Sequence, residues 1–264
     1  MTTLLNDRVA RAVSFAGVVR GEWIKLISVR SSTICLANAA VAMLFAVVML
    51  PVKSMASAVV VDDDPVATVL SGAEFAGLAV GVLGVLMAST EYATGMVRVV
   101  LTAVPSRLPV LFAKIVALVA LVFPAMLVMS LVAFFGGMAV LDATGGAVIG
   151  LADPGALRAV VGAAVSLAGV GVIGIALGTL LRTTAAAVTA VITLVFLMPN
   201  LGDLLPQSWR ENVLKYLPAK AIDAFVHTVQ DPALLSPAAG ALVFGAWIVV
   251  VVGAAVVRLR GRDV

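Results

Sequence analysis

Long apolar blocks separated by short polar connections set the pattern of this chain: residues 34–50, 66–88 and 115–132 in the first half, then 159–181, 184–199 and 238–257 in the second. A helix rising ~1.5 Å per residue needs ~20 residues to cross ~30 Å of hydrocarbon, and the blocks are about that long. The pattern predicts an all-α polytopic membrane protein with six transmembrane helices. Ahead of the first block, residues 8–30 read differently. Phe15, Val19, Trp23 and Leu26 fall on one helical face and Ser14, Gly21, Lys25 and Ser28 on the opposite one, with Glu22 at the edge of the apolar side. This predicts an interfacial amphipathic helix, with Trp23 at headgroup level and the basic residues toward anionic lipid.

Connections of this length leave no room for a second folding unit, so residues 1–264 are expected to form a single transmembrane domain. The longest connection, 200–237, mixes Leu201, Trp209, Tyr216 and Phe225 with prolines and charges, and is expected to lie on, or dip back into, the outer leaflet. The preceding acidic turn, Asp62-Asp63-Asp64-Pro65, reads as a solvated loop. Ala56-Ser57-Ala58 has the look of a signal-peptidase site, but the apolar block before it exceeds the usual ~7–15 residues, and the basic segment ahead is too long for a leader.

Apolar residues make up 62% of the chain and the mean hydropathy is +1.19, which agrees with the blocks. The isoelectric point near 9.4 raises the question of nucleic acid. The cations answer it by alternating between connections: 12 fall on the side of the amino terminus (Arg8, Arg11, Arg20, Lys25, Arg30, Arg98, Arg107, Lys114, Arg182, Arg258, Arg260, Arg262) and 5 on the other (Lys53, Arg158, Arg210, Lys215, Lys220). The positive-inside rule then predicts both termini in the cytoplasm. No face collects these charges with interleaved aromatics, so no nucleic-acid partner is expected.

Catalytic chemistry finds little support. One cysteine, Cys35, and one histidine, His227, preclude an intrachain disulfide and a His/Cys metal cluster, and no HExxH or EF-hand spacing occurs, so no metal or other cofactor is expected. There is no GxxxxGK[ST] for nucleotide phosphates and no GxSxG for a nucleophilic serine; Leu70-Ser71-Gly72-Ala73-Glu74 resembles an ATPase signature only superficially, because it opens a membrane span. No catalytic residue is assigned, and the chain is not expected to be an enzyme.

Two features inside the spans stand out. Glu74 lies several positions past the outer edge of the second block, where a charge is disfavoured by ~2.5–3.5 kcal/mol, and is therefore expected to line an interface or a translocation path. Glycines recur at helical spacing in the second block (Gly77, Gly81, Gly84) and the fourth (Gly162, Gly169, Gly171, Gly174, Gly178), both with GxxxG. Such faces let helix backbones approach closely in lipid, against the same chain or a second copy.

The connection after the second block is the most informative polar stretch. Glu91, Gly95 and Arg98 share a helical face, and Arg107 and Lys114 follow. Taken with Gly21-Glu22-Trp23-Ile24-Lys25-Leu26-Ile27-Ser28-Val29-Arg30-Ser31-Ser32 before the first block and the Arg262-Asp263 ending, this order resembles the ABC-2 family of exporter permeases over nearly the whole chain. The resemblance implies a permease subunit in the cell membrane that pairs with a second copy or another permease and with separate ATP-binding cassette ATPase subunits. It implies a connecting helix within 1–32 (Glu22, Trp23, Lys25, Arg30), an ATPase-coupling helix carrying Glu91, Gly95, Arg98 and Arg107, and an extracellular, re-entrant gate at 200–237. The rivals are a gradient-driven carrier or channel, which should have charge-bearing discontinuous helices near the midplane, and a non-transporting membrane scaffold.

Overall fold

The structure, a computed structural model, describes residues 14–56, 64–93, 107–201, 213–229 and 234–260. Regular structure among these residues is entirely helical: α1 Phe15–Ser28, α2 Arg30–Ala56, α3 Pro65–Leu70, α4 Gly72–Ala93, α5 Arg107–Ala143, α6 Ala156–Leu181, α7 Thr184–Ile192, a wider turn at Thr193–Leu197, α8 Met198–Leu201, a tight turn at Leu214–Tyr216, α9 Pro218–Val226 and α10 Pro237–Arg260. Six stretches are long and apolar enough to cross a bilayer, namely α2, α3 with α4, α5, α6, α7 through α8, and α10. They coincide with the six apolar blocks of the sequence, and the bundle is that of a multi-pass membrane protein.

Glycine decides which helix sits in the middle. In α6 83% of the apolar window is buried within the bundle, against 22% for α2 and α10. A Cβ at Gly84 would lie 2.0 Å from the Gly171 carbonyl oxygen, and one at Gly174 would lie 2.3 Å from that of Gly81. The backbones of α4 and α6 therefore touch, and the two GxxxG faces belong to one seam within the chain. Lipid tails are as apolar as the side chains, so close van der Waals packing, rather than the hydrophobic effect, must hold this seam. Elsewhere on α6, Gly169 accommodates the ring of Phe244 from α10, and Gly162 that of Phe225 from α9.

The two ends of the bundle are fixed by polar side chains. At one end, α3 begins at Asp64, which caps Ala67 N at 3.0 Å ahead of Pro65, the residue best suited to a first helical position. Asp64 is buried, contrary to the solvated loop expected for the acidic turn; Asp62 and Asp63 lie outside the described residues. Its carboxylate also accepts from Thr228 N at 2.5 Å, Thr228 Oγ1 at 2.6 Å and Val229 N at 3.0 Å, and Arg158 Nη2 donates to the His227 carbonyl at 2.7 Å. The chain after α9 is thus tied to the starts of α3 and α6. Within the 200–237 stretch, α9 packs its buried Pro218, Ala221, Ala224 and Phe225 onto α6 and α10, while Trp209 lies outside the described residues.

Burial pushes the Asp64 carboxyl up, but the bonds from Thr228, Ala67 and Val229 outweigh it and hold it below the usual aspartate range. A depressed carboxylate stabilises the fold above its unfolded value and loses that contribution only as pH falls through the lower folded value, so Asp64 itself should keep accepting these bonds from neutrality down to the ordinary aspartate range. Asp64→Asn turns an amide toward donors that need an acceptor, and should cost about 1–3 kcal/mol, read as a lowered midpoint in thermal unfolding of the detergent-solubilised protein. Gly84→Leu should abolish the monodisperse folded species in size-exclusion chromatography. Gly253→Leu, where a Cβ meets nothing within 4 Å, should leave it intact.

Candidate functional site

At the opposite end, four charged side chains from three helices close into a cage. Lys114 Nζ lies 2.8 Å from Glu22 Oε2 and 2.6 Å from Glu91 Oε1, and Lys25 Nζ lies 2.9 Å from Glu22 Oε1 and 2.5 Å from Glu91 Oε1. Glu22 and Lys25 come from α1, Glu91 from the last turn of α4, and Lys114 from the second turn of α5. Two anions and two cations make the cage electrically neutral. Its side chains are 6–11% exposed except for Lys25 at 40%, so three of the charges are shut inside and one reaches the rim.

Each helix reaches the cage for a local reason. α1 starts at Ser14, whose Oγ accepts from Gly17 N at 3.2 Å, and ends where Val29 turns extended, so that α2 can leave at a new angle. Its buried residues are Glu22 and Leu26, one turn apart, and Lys25 lies beside them. The expected apolar face is therefore only partly used: Leu26 is covered, Phe15 is exposed, and the centre of the contact is an acid. Lys25, expected to face away with the polar side, turns in toward the two carboxylates. α5 is 37 residues long, or ~55 Å at ~1.5 Å per residue, well beyond the ~30 Å hydrocarbon thickness. Its surplus length supplies a shelf on which α1 rests.

A buried ion pair is poor evidence of added stability, because desolvation consumes most of the attraction. What the cage does impose is geometry, since neither Lys114 nor either glutamate can leave without stranding a partner in a dry site. For Lys25, burial lowers its readiness to hold a proton, but Glu91 and Glu22 more than compensate and raise its pKa above the usual lysine value. A raised lysine contributes fully below its unfolded value and is lost only as pH climbs through the higher folded value, so Lys25 keeps its part in the cage throughout the neutral range.

Around the cage, Trp23 is half-buried on α1 and Arg30 is exposed at the start of α2. Arg107 opens α5, while Gly95 and Arg98 lie outside the described residues, so Glu91 and the start of α5 are the described boundaries of the expected coupling segment. A neighbouring contact ties in the α6–α7 turn: Arg182, left-handed at φ 59°, stacks over the Tyr92 ring at 5.6 Å, and Ser89 and Thr184 hydroxyls meet at 2.9 Å.

Glu74 sits far from the cage, in the first turn of α4, on the wall of a cavity of about 330 Å³. Asn200 Nδ2 donates to its Oε1 at 3.1 Å and to the Phe196 carbonyl at 2.7 Å. The backbone explains why Asn200 points there. Asn200 stands one turn past Phe196 in the short helix that follows the widened turn at Thr193–Leu197, so its side chain reaches back to the Phe196 carbonyl while it meets Glu74. Asn200, Asp64 and Arg182 were not foreseen as site residues; the usable signals were an Asp-Pro pair ahead of an apolar run and a Pro-Asn pair at the end of another.

No protein-family model matches this chain, and a search of curated proteins gives no match. The cage itself makes a prediction. Glu91→Gln leaves two ammonium groups sharing one carboxylate and should destabilise by about 3–5 kcal/mol, as should Lys114→Met. The double variant should cost clearly less than the sum, and a thermal-unfolding double-mutant cycle measures the difference.

Proposed function

We propose that this chain is the membrane-spanning permease subunit of an ABC-2 type exporter, moving a substrate across the cell membrane with ATP hydrolysed by a separate ATPase subunit. The observation that carries this reading is the cage. A permease with no nucleotide-binding motif of its own must receive motion through a short contact, and the cage locks together the helix before the first span, the end of the second and the start of the third. Those elements flank the segment that resembles the coupling helix, with Glu91 at one margin and Arg107 at the other.

In this account α1 is the connecting helix, lying at the cytoplasmic surface with exposed Ile24 and Ile27 toward lipid and Arg20 and Arg30 toward anionic headgroups. Both termini are cytoplasmic, as the distribution of 12 cations against 5 requires under the positive-inside rule. A push on the segment between α4 and α5 moves α1 with it, because sliding any one member would break two short ion pairs. α9 and its ties to Asp64 and Arg158 form the extracellular gate. A second permease completes the pathway against the uncovered faces of α2 and α10.

A gradient-driven carrier is the rival that one observation favours, namely the carboxylate of Glu74 within a span and beside a cavity. One preparation separates the two. The full chain, tagged and purified from its native membranes in mild detergent, should bring with it a polypeptide bearing Walker A and signature motifs and a vanadate-sensitive ATPase activity, and Glu91→Gln should weaken that association. If no ATPase accompanies the chain, and flux in proteoliposomes follows an imposed pH gradient without ATP, the exporter reading fails and the carrier stands.

A further inference from the structure

The cavity at Glu74 has a chemical character of its own. It is enclosed by α3, α4, α6, the widened turn before α8, and α9, and at about 330 Å³ it falls in the size range of small-ligand pockets. Leu70, Leu167, Val170, Val195 and Ile222 give it apolar walls, and Thr68, Ser71 and Ser166 add hydroxyls. Two carboxylates, Glu74 and Asp223, stand on the wall. Asp223 is paired with Lys220 at 3.3 Å, a lysine that is not part of the lining. Among the described residues Glu74 has only the neutral Asn200 amide as a partner, and no lysine or arginine lines the cavity or pairs with it. Among the described residues His227 is the one basic side chain in the lining.

We infer that this cavity is a binding site for a monovalent organic cation with an apolar body, whose charge is received by Glu74. Glu74 is an exposed carboxylate on the wall of an otherwise apolar cavity; a weakly hydrated cation gives up least water to pair with it, and apolar walls reward a ligand that carries its charge on a hydrocarbon frame. A hard metal ion fits poorly: among the described residues no group of three His, Cys, Asp or Glu comes together, and the walls offer few of the ~6–8 oxygens that calcium takes. A neutral ligand would fill the space but leave the Glu74 charge unanswered. The carboxylate is also positioned, since the Asn200 amide links it to the Phe196 carbonyl, and the chain leaving α9, the helix that supplies Ile222 and Asp223, is held by Asp64 and Arg158. Binding of this kind requires no ATPase and would exist in a permease or a carrier alike.

The test uses the full chain alone in nanodiscs of neutral lipid, with tritiated phenyltrimethylammonium as the probe in equilibrium dialysis. Saturable binding at one site per chain is expected above empty nanodiscs. Unlabelled cation should displace the probe far better than tert-butylbenzene, its neutral isostere. Glu74→Gln should raise Kd roughly tenfold or more, the loss expected of a charged partner. Gly77→Leu keeps the charge and fills the space; a Cβ there meets only Leu167 Cδ2 at 3.7 Å, so the backbone admits it, and binding should disappear. Asp142→Asn, an exposed carboxylate outside the cavity, should leave Kd unchanged. The inference is overturned by wild-type binding no greater than that of empty nanodiscs, by an unaltered Kd in both cavity variants once size-exclusion chromatography has shown them folded, or by equal displacement by the isostere. With no ATPase present, each of these outcomes is independent of the exporter reading.

Discussion

Charge that is taken out of water must be answered locally, and most of what is specific about this bundle follows from that constraint. Lys114 lies on a helix that is otherwise a long apolar rod, and its ammonium is buried. Only carboxylates arriving from other elements can compensate it, and they arrive from two: Glu22 on α1 and Glu91 on α4. Lys25 then balances the second negative charge. An apolar contact of equal area would tolerate slippage by a residue or a turn; a neutral four-member cage does not, because each sliding move strands a charge. The helix outside the bundle thereby acquires a defined register on two helices inside it.

A second, wholly different constraint holds the bundle's interior. The α4–α6 contact is built on missing side chains: Gly84 and Gly174 let the carbonyl oxygens of Gly171 and Gly81 occupy the space of a Cβ, while Gly81 and Gly171 make room for Val191 and Leu118. α4 is common to both seams: its glycine face meets α6 and its last turn enters the cage. A displacement applied at Glu91 is therefore delivered to the central helix through backbone-to-backbone contact, with little soft side chain between to absorb it. At the far end of the same α3–α4 span, Asp64 meets the chain after α9 and Glu74 meets Asn200 of α8, so one span touches the cage, the core and the cavity.

The helices were legible in the sequence because hydrocarbon leaves one economical answer to the backbone's hydrogen bonds, and runs of Val, Leu and Ala of the right length announce it. The glycine seam was legible as spacing but not as a pairing, since small faces fit a second copy as well as a neighbouring helix. Glu22, Lys25, Glu91 and Lys114 were all visible as polar residues in apolar surroundings, yet their union was not: Glu22 and Lys114 are 92 residues apart, and nothing local says that α1 folds back under α5. Lys25 was assigned to the wrong side of its helix, because amphipathic reasoning sorts charge away from the buried face, and here the buried face is where charge is wanted. Asp64 was hidden for the opposite reason, as part of an acidic run that looked solvated; its partners, Thr228 and Val229, are supplied by a stretch 164 residues later.

The cage, rather than apolar burial or covalent proximity to α2, holds α1 on the bundle. Hydrogen–deuterium exchange of the lipid-reconstituted protein measures this directly, comparing wild type with Glu91→Gln at neutral pH. Amides of α1 should lose much of their protection in the variant while those of α6 keep theirs. Unchanged protection across α1, in a variant that remains folded, would contradict it.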